Sequence, residues 1–158
     1  MELRVGIGVD AHALEEGRAL VLGGVAIEYP KGLAGHSDGD VVAHALIDAL
    51  LGAANLGDIG SLFPSGDEQY RGASSLDLLW EAYREVREAG WELVNADCVL
   101  VGEEPRIGDV RDEMGERLAG ALGVEIGRVT VRATTTDGLG YTGRGEGLAA
   151  HAVALLRR

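Results

Sequence analysis

The fold turns on one stretch, Leu3-Arg4-Val5-Gly6-Ile7-Gly8-Val9-Asp10-Ala11-His12. Leu3, Val5, Ile7 and Val9 recur at every second position, the period of a β-strand with one buried face. The other face carries Arg4, Gly6, Gly8, Asp10 and His12. Residues two apart on a strand point the same way, so Asp10 and His12 are expected to project together from the strand's end. A second cluster follows, His36-Ser37-Asp38-Gly39-Asp40-Val41-Val42-Ala43-His44, which puts three of the four histidines in the first 44 residues. Imidazole and carboxylate are ligands that zinc and its neighbours accept.

Working outward, residues 19–22 and 25–27 flank Gly23-Gly24 as a hairpin, and Pro30-Lys31-Gly32 reads as a turn. Residues 40–54 have helical spacing, with Asp38 or Asp40 as N-cap. Residues 56–72 are rich in Gly, Pro, Ser and Asp and read as loop. A second helix is expected over 74–89, stopped by Gly90, and a third over 109–122, stopped by Gly123. Strands are expected over 92–101 and 128–134. Residues 135–147 read as a glycine-rich loop, and 148–156 fit either strand or helix. The whole predicts one α/β (α+β) domain over residues 1–158, a mixed four-stranded sheet plus a small hairpin, with helices on one face.

Composition narrows the function. The chain has 158 residues, 46% hydrophobic, with a net charge of −12. An acidic balance disfavours nucleic acid and acidic membranes as partners. No apolar run is long enough to span a bilayer, and the first residues lack the layout of a signal peptide, so the cytoplasm is the expected compartment. A lone cysteine, Cys98, in an apolar stretch reads as a buried residue.

The histidine clusters point to a catalytic metal. Asp40, His44 and Asp48 are spaced at one helical turn and share a face, which suits a metal-bound imidazole steadied by Asp40 or Asp48 at its other nitrogen. Asp10, His12 and His44 make three ligands and leave one tetrahedral position open. His36, in a glycine-flanked loop, reads as a substrate contact. Two glycine patterns, Gly6–Ala11 and Gly138–Gly143, imitate a dinucleotide fingerprint but lack the strand–turn–helix context, so no nicotinamide cofactor is expected. Thr134, Thr135, Thr136 and Asp137 at a strand end instead suit phosphate, with Asp137 able to hold a divalent cation and Arg144 a charge-assisted bond.

Four motifs in order carry a resemblance: G-x-D-x-H, A-G-H-S-D-G-D-V-x-x-H-A, L-G-D-I-G-x-L-F-P and A-T-T-T-D-x-L-G-Y-T-G-R-G-E-G. Together the chain resembles, nearly end to end, the 2-C-methyl-D-erythritol 2,4-cyclodiphosphate synthase family of the non-mevalonate isoprenoid pathway. The resemblance implies a divalent-metal-dependent phosphorus–oxygen lyase. It would cyclise 4-diphosphocytidyl-2-C-methyl-D-erythritol 2-phosphate and release CMP. It implies Zn2+ (or Mn2+) at Asp10, His12 and His44, and Mg2+ or Mn2+ at Asp137, bridging the diphosphate. His36 and Thr135 would be catalytic, and Ser37 would touch the phosphates. Asp58, Ile59 and Gly60 would hold the erythritol, with Phe63, Pro64, Ser65, Gly66 and Asp67 near the 2-phosphate. The cytidine would lie against Gly102, Glu103, Glu104, Pro105, Arg106, Ile107 and Gly108, and against Ala133 and Thr134. Thr136, Tyr141 and Arg144 complete the implied substrate set. The family also implies a homotrimer, with sheets facing the threefold axis and sites shared between subunits.

Asp137 stands where the family commonly has glutamate, Gly138 where a longer residue occurs, and Arg106 where lysine is frequent; Gly108 removes a side chain from the nucleotide loop. From the residues alone, two other readings stay open: a metal-dependent phosphohydrolase with Asp38, Asp40 or Asp58 as base, and a non-catalytic trimeric binder of small anions.

Overall fold

The computed structural model describes Met1–Arg158 throughout. Its strands are β1 (Leu3–Glu16), β2 (Leu20–Leu22), β3 (Val25–Ile27), β4 (Lys31–Leu33), β5 (Glu92–Val101), β6 (Val129–Thr134) and β7 (Gly147–Arg157). Its helices are α1 (Val41–Ala53), α2 (Ile59–Leu62), α3 (Ser75–Glu88), α4 (Arg111–Leu122) and α5 (Gly140–Gly143). The main sheet runs β4-β1-β7-β5-β6, with only β5 and β6 parallel, and β2 and β3 form a separate hairpin.

The sheet has five strands, not the four expected. The extra one is β4, where Pro30-Lys31-Gly32 suggested only a turn. β1 does not stop at His12 but continues to Glu16 and pairs Leu14 with Leu33. Asp10 and His12 therefore sit within a long strand and not at its end. The ambiguous residues 148–156 belong to a strand, β7, which lies centrally between β1 and β5. Its inward residues Ala150, Ala152 and Ala154 are buried on the helix side.

The facing of β1 is the reverse of the expectation. Leu3, Val5, Ile7 and Val9 are exposed, Val5 at 71%. The buried side is the glycine side. A Cβ built on Gly6 would lie 2.0 Å from the Ala49 carbonyl oxygen, and one on Gly8 would lie 1.9 Å from that of Ala45. Two glycines spaced by two on the strand thus meet two alanines spaced by four on α1. The helix backbone lies directly against the strand, a close approach that only side chains this small permit. Alternation had located a strand, but apolar size had named the wrong face.

α1 is buried nearly all round, as expected of a helix apolar on every side. Leu46, Ile47, Leu50 and Leu51 are fully buried, each contributing roughly 1.5–3 kcal/mol of transfer free energy. It packs on β1, β7 and β5 on one side and on α3 on the other. Asp40 caps it: its carboxylate accepts from the amides of Val42 and Ala43, and also from Gly23 and Gly24 of the hairpin turn. Burial still pushes that carboxyl up to about 6 against those donors. One residue thus starts the helix and pins the hairpin, which fixes His44 in the first turn of α1.

Candidate active site and metal centre

The close β1–α1 contact brings Asp10, His12 and His44 together. Asp10 Oδ2 lies 3.0 Å from His12 Nε2 and 3.1 Å from His44 Nδ1, and the three donor atoms fall within 4.8 Å of one another. Burial raises the Asp10 carboxyl, but the two imidazoles more than reverse this and hold it below the usual range. The contact with Asp10 raises His12.

The set fits a metal. Tetrahedral zinc with bonds of 2.0–2.2 Å separates its ligand atoms by about 3.3 Å, close to both Asp10 distances. His12 Nε2 is buried and pairs only with Asp10 Oδ2, 3.0 Å away, without a well-formed hydrogen bond. A buried nitrogen in that state calls for an explanation, and an ion held with Asp10 and His44 supplies one.

The support behind His44 differs from the expectation. Neither Asp40 nor Asp48 holds its second nitrogen. Asp40 is spent on four backbone amides, and Asp48 accepts from the Ile59 amide at 2.7 Å. His44 Nε2 instead meets Ser75 Oγ at 2.8 Å and Ser37 Oγ at 3.1 Å. Ser75 donates its hydroxyl to Asp38 Oδ1 and its amide to Asp38 Oδ2 at 2.9 Å. Ser75 is fully buried at the first turn of α3, distant in sequence, and no local motif marked it.

The cleft over this cluster is lined by His36, Ser37, Ile59, Gly60, Phe63 and Ser65, all expected, and by Tyr70 and Leu78, which sequence reasoning missed. Tyr70 stacks edge-on to Phe63, with ring centroids 5.1 Å apart. An aromatic pair straddling a loop is visible only in three dimensions. His36 Nε2 bonds the Asp67 carbonyl at 2.8 Å, so the 36–40 and 64–72 loops are tied together. The structure does not bring every expected residue here. Asp58 caps α2 through a reciprocal pair with Ser61, and Asp67 caps a short turn at Gln69. Pro64 and Gly66 do not line the cleft.

A second pocket gathers Gly102 through Gly108 with Ala133, Thr134 and Thr135, apart from the histidine cluster. Thr135 Oγ1 bonds Asp137 Oδ1 at 3.2 Å. Asp137 does not join the Asp10–His12–His44 group. Glu103 accepts from the amides of Thr136 and Gly138 and so braces this loop. The Thr136 hydroxyl is taken up by Leu139 and Thr142 within the loop, and Arg144 pairs with Glu146 at 2.8 Å. Tyr141 lies beside Ala11 and His12 in a shallow hollow.

A family model described as the YgbB family matches residues 3–157. The chain belongs to this family. A 2-C-methyl-D-erythritol 2,4-cyclodiphosphate synthase from Moorella thermoacetica is 58% identical over 154 residues, covering 98% of this chain and 94% of that protein. The solved bifunctional IspDF from Campylobacter jejuni is 45% identical with a TM-score of 0.94. The match covers 98% of this chain but only 42% of that longer one. A solved 2C-methyl-D-erythritol-2,4-cyclodiphosphate synthase in a CDP-bound form is 42% identical with a TM-score of 0.89. There the match covers 98% of this chain and 100% of that one. The activity of this YgbB member is formation of 2-C-methyl-D-erythritol 2,4-cyclodiphosphate, a lyase reaction in isoprenoid synthesis. The phosphohydrolase and the non-catalytic binder find no support among these relatives.

Proposed function

We propose that the chain performs this cyclisation at the Asp10–His12–His44 cleft by metal-assisted intramolecular phosphoryl transfer. The 2-phosphate of 4-diphosphocytidyl-2-C-methyl-D-erythritol 2-phosphate forms a bond to the β-phosphorus. The bond from that phosphorus to the bridging oxygen breaks, and CMP leaves with that oxygen. The observation that carries the reading is the buried His12 nitrogen, without a well-formed hydrogen bond, facing Asp10 and His44 in a cleft that also holds His36 and Ser37. Zn2+ or Mn2+ bound there would supply positive charge to the β-phosphate.

The protein's own part is placement. Two phosphate groups repel each other, so holding them in line removes much of the barrier. His36, tethered through Nε2–H at the Asp67 carbonyl, would meet the phosphates from a fixed position. Ile59 and Gly60 sit where the erythritol would lie, and Phe63 with Tyr70 closes one wall against water. Gly102–Gly108 with Ala133 and Thr134 form the nucleotide pocket. Asp137 would hold a Mg2+ or Mn2+ ion on the diphosphate, and Thr135 beside it would polarise the phosphates.

The cleft and the nucleotide pocket share no lining residue within one chain, which agrees with a working site assembled between copies. We assign the exposed apolar side of β1, with Val153 of β7, to that assembly as a homotrimer. Leu3, Val5, Ile7, Val9 and Val153 put five exposed apolar side chains on one sheet face, the kind of patch that marks an interaction surface. The proposed setting is the cytoplasm; no helix is long and apolar enough to cross a membrane.

Phosphorus NMR of the protein with the diphosphocytidyl substrate tests the proposal. A cyclic diphosphate and CMP are expected. Linear phosphate products alone would overturn it.

A further inference from the structure

When the His44 ring carries a single proton, that proton has two claimants. Asp10 Oδ2 stands 3.1 Å from Nδ1, and Ser75 Oγ stands 2.8 Å from Nε2. A metal ligand must offer a lone pair, so ligation through Nδ1 requires the proton on Nε2. Asp10 alone favours the opposite, because its carboxylate attracts a proton to Nδ1. Something must oppose Asp10 if the cluster is to bind an ion readily.

Asp38 supplies that opposition. An ionised carboxylate only accepts hydrogen bonds. Ser75 gives it both an amide proton, at 2.9 Å, and its hydroxyl proton. With its hydrogen committed to Asp38, Ser75 Oγ presents lone pairs to His44 and accepts from Nε2–H. The direction of every bond in the chain Asp38–Ser75–His44 is therefore set by Asp38. Ser37 Oγ, at 3.1 Å from Nε2, sets no direction, because its hydroxyl can serve as donor or acceptor. Burial strengthens the effect: Ser75 is fully buried, so no water competes for its lone pairs.

We infer that Asp38 and Ser75 are positioning residues that hold the ring proton of His44 on Nε2 and so keep Nδ1 free to bind the ion. The inference rests on the metal reading above and concerns this chain's residues alone. It also ties the metal centre to the fold. Asp38 precedes α1 and Ser75 opens α3, so both helix starts are joined behind one ligand.

Asp38→Asn is the discriminating variant, since it keeps shape while reversing polarity. Asp38 serves three donors, the Ser75 amide and hydroxyl and the Asp40 amide at 3.1 Å; Asn has one accepting oxygen for them, and its NH2 donates to Ser75 Oγ when the oxygen takes the Ser75 amide. The Ser75 hydrogen then turns toward His44 Nε2, and the imidazole proton moves to Nδ1, facing Asp10. Ser75→Ala is milder, because Ser37 Oγ remains as an acceptor.

The experiment pairs two readouts on metal-free protein with an unchanged unfolding midpoint. Long-range nitrogen–proton NMR, above the pH of histidine titration, reads the tautomer ratio of His44. Chelator competition reads zinc affinity. Wild type is expected to show more of the Nε2–H form than either variant. Zinc affinity is expected to fall about 10–100-fold in Asp38→Asn, the usual loss for an outer partner of a metal ligand, and less in Ser75→Ala. Should one variant fail to fold, the other carries the test. Tautomer ratios and affinities within twofold of wild type would overturn the inference. Wild type that binds no zinc would instead overturn the metal reading, while the tautomer ratio would still test the relay.

Discussion

Gly8→Ala isolates the contact that builds the site. The added Cβ would lie 1.9 Å from the Ala45 carbonyl oxygen, whereas real contacts of this kind essentially never fall below 3.0 Å. Neither partner is a flexible side-chain end, so β1 and α1 must separate by about 1.1 Å. Overpacking of this kind costs typically about 1–3 kcal/mol, occasionally more. At roughly 2–4 °C per kcal/mol for a chain of this size, the unfolding midpoint should fall by about 2–12 °C. The function should suffer more than the stability. His44 precedes Ala45 on the helix, and Asp10 lies two residues beyond Gly8 on the strand. Their 3.1 Å separation would open toward about 4 Å, while metal sites tolerate only about 0.2 Å in each bond. Zinc affinity should drop at least about tenfold. Gly120→Ala is the control, because a Cβ there meets nothing and alanine favours a helix by roughly 0.5–1 kcal/mol. Thermal unfolding by circular dichroism and zinc competition on the same samples measure both effects. A Gly8→Ala protein that unfolds within 1 °C of wild type (on the order of the smallest resolvable shift) and binds zinc equally would refute the close-packing argument.

Three further outcomes are expected. Ile7→Lys puts a charge on the exposed apolar face of β1 and should dissociate the proposed trimer without unfolding the chain; a variant that sediments as wild type does would remove that face from the interface. Saturating zinc at about 100 times its dissociation constant should stabilise wild type by about 2.7 kcal/mol, a rise of roughly 5–10 °C, and the rise should vanish in His44→Ala; an equal rise in both would place the ion elsewhere. Burial pushes the Cys98 thiol up to about 12, so near pH 8 only about one molecule in 10^4 carries the reactive thiolate. Alkylation should follow global unfolding alone, and rapid labelling of the folded protein would contradict the packing of β5.

The legible part of the molecule was local. Period-two alternation located β1, and glycine stops located the ends of the second and third helices. Asp10, His12 and His44 could be grouped because each sits in a short motif of chemically specific residues. What escaped was tertiary. The facing of β1 depended on Gly6 and Gly8 meeting Ala45 and Ala49, a pairing between elements that neither segment reveals alone. The signal was nonetheless present as G-x-G in one element and alanines four apart in the next. β4 is three residues long and exists only because β1 extends to Glu16 to pair with it. Asp40 and Asp48 share a helical spacing with His44, yet backbone amides claim both. Ser75 replaced them from 31 residues away in sequence, beyond the reach of any spacing rule.

The central claim is that Asp10, His12 and His44 hold the ion at which the diphosphate is cyclised. Anomalous diffraction at the zinc edge, on crystals grown with zinc and a cytidine nucleotide, tests it most directly. The account predicts one strong peak about 2.0–2.2 Å from Asp10 Oδ2, His12 Nε2 and His44 Nδ1, with the fourth position turned toward a phosphate oxygen. A peak bound through His44 Nε2, or no peak at the cluster, would contradict it.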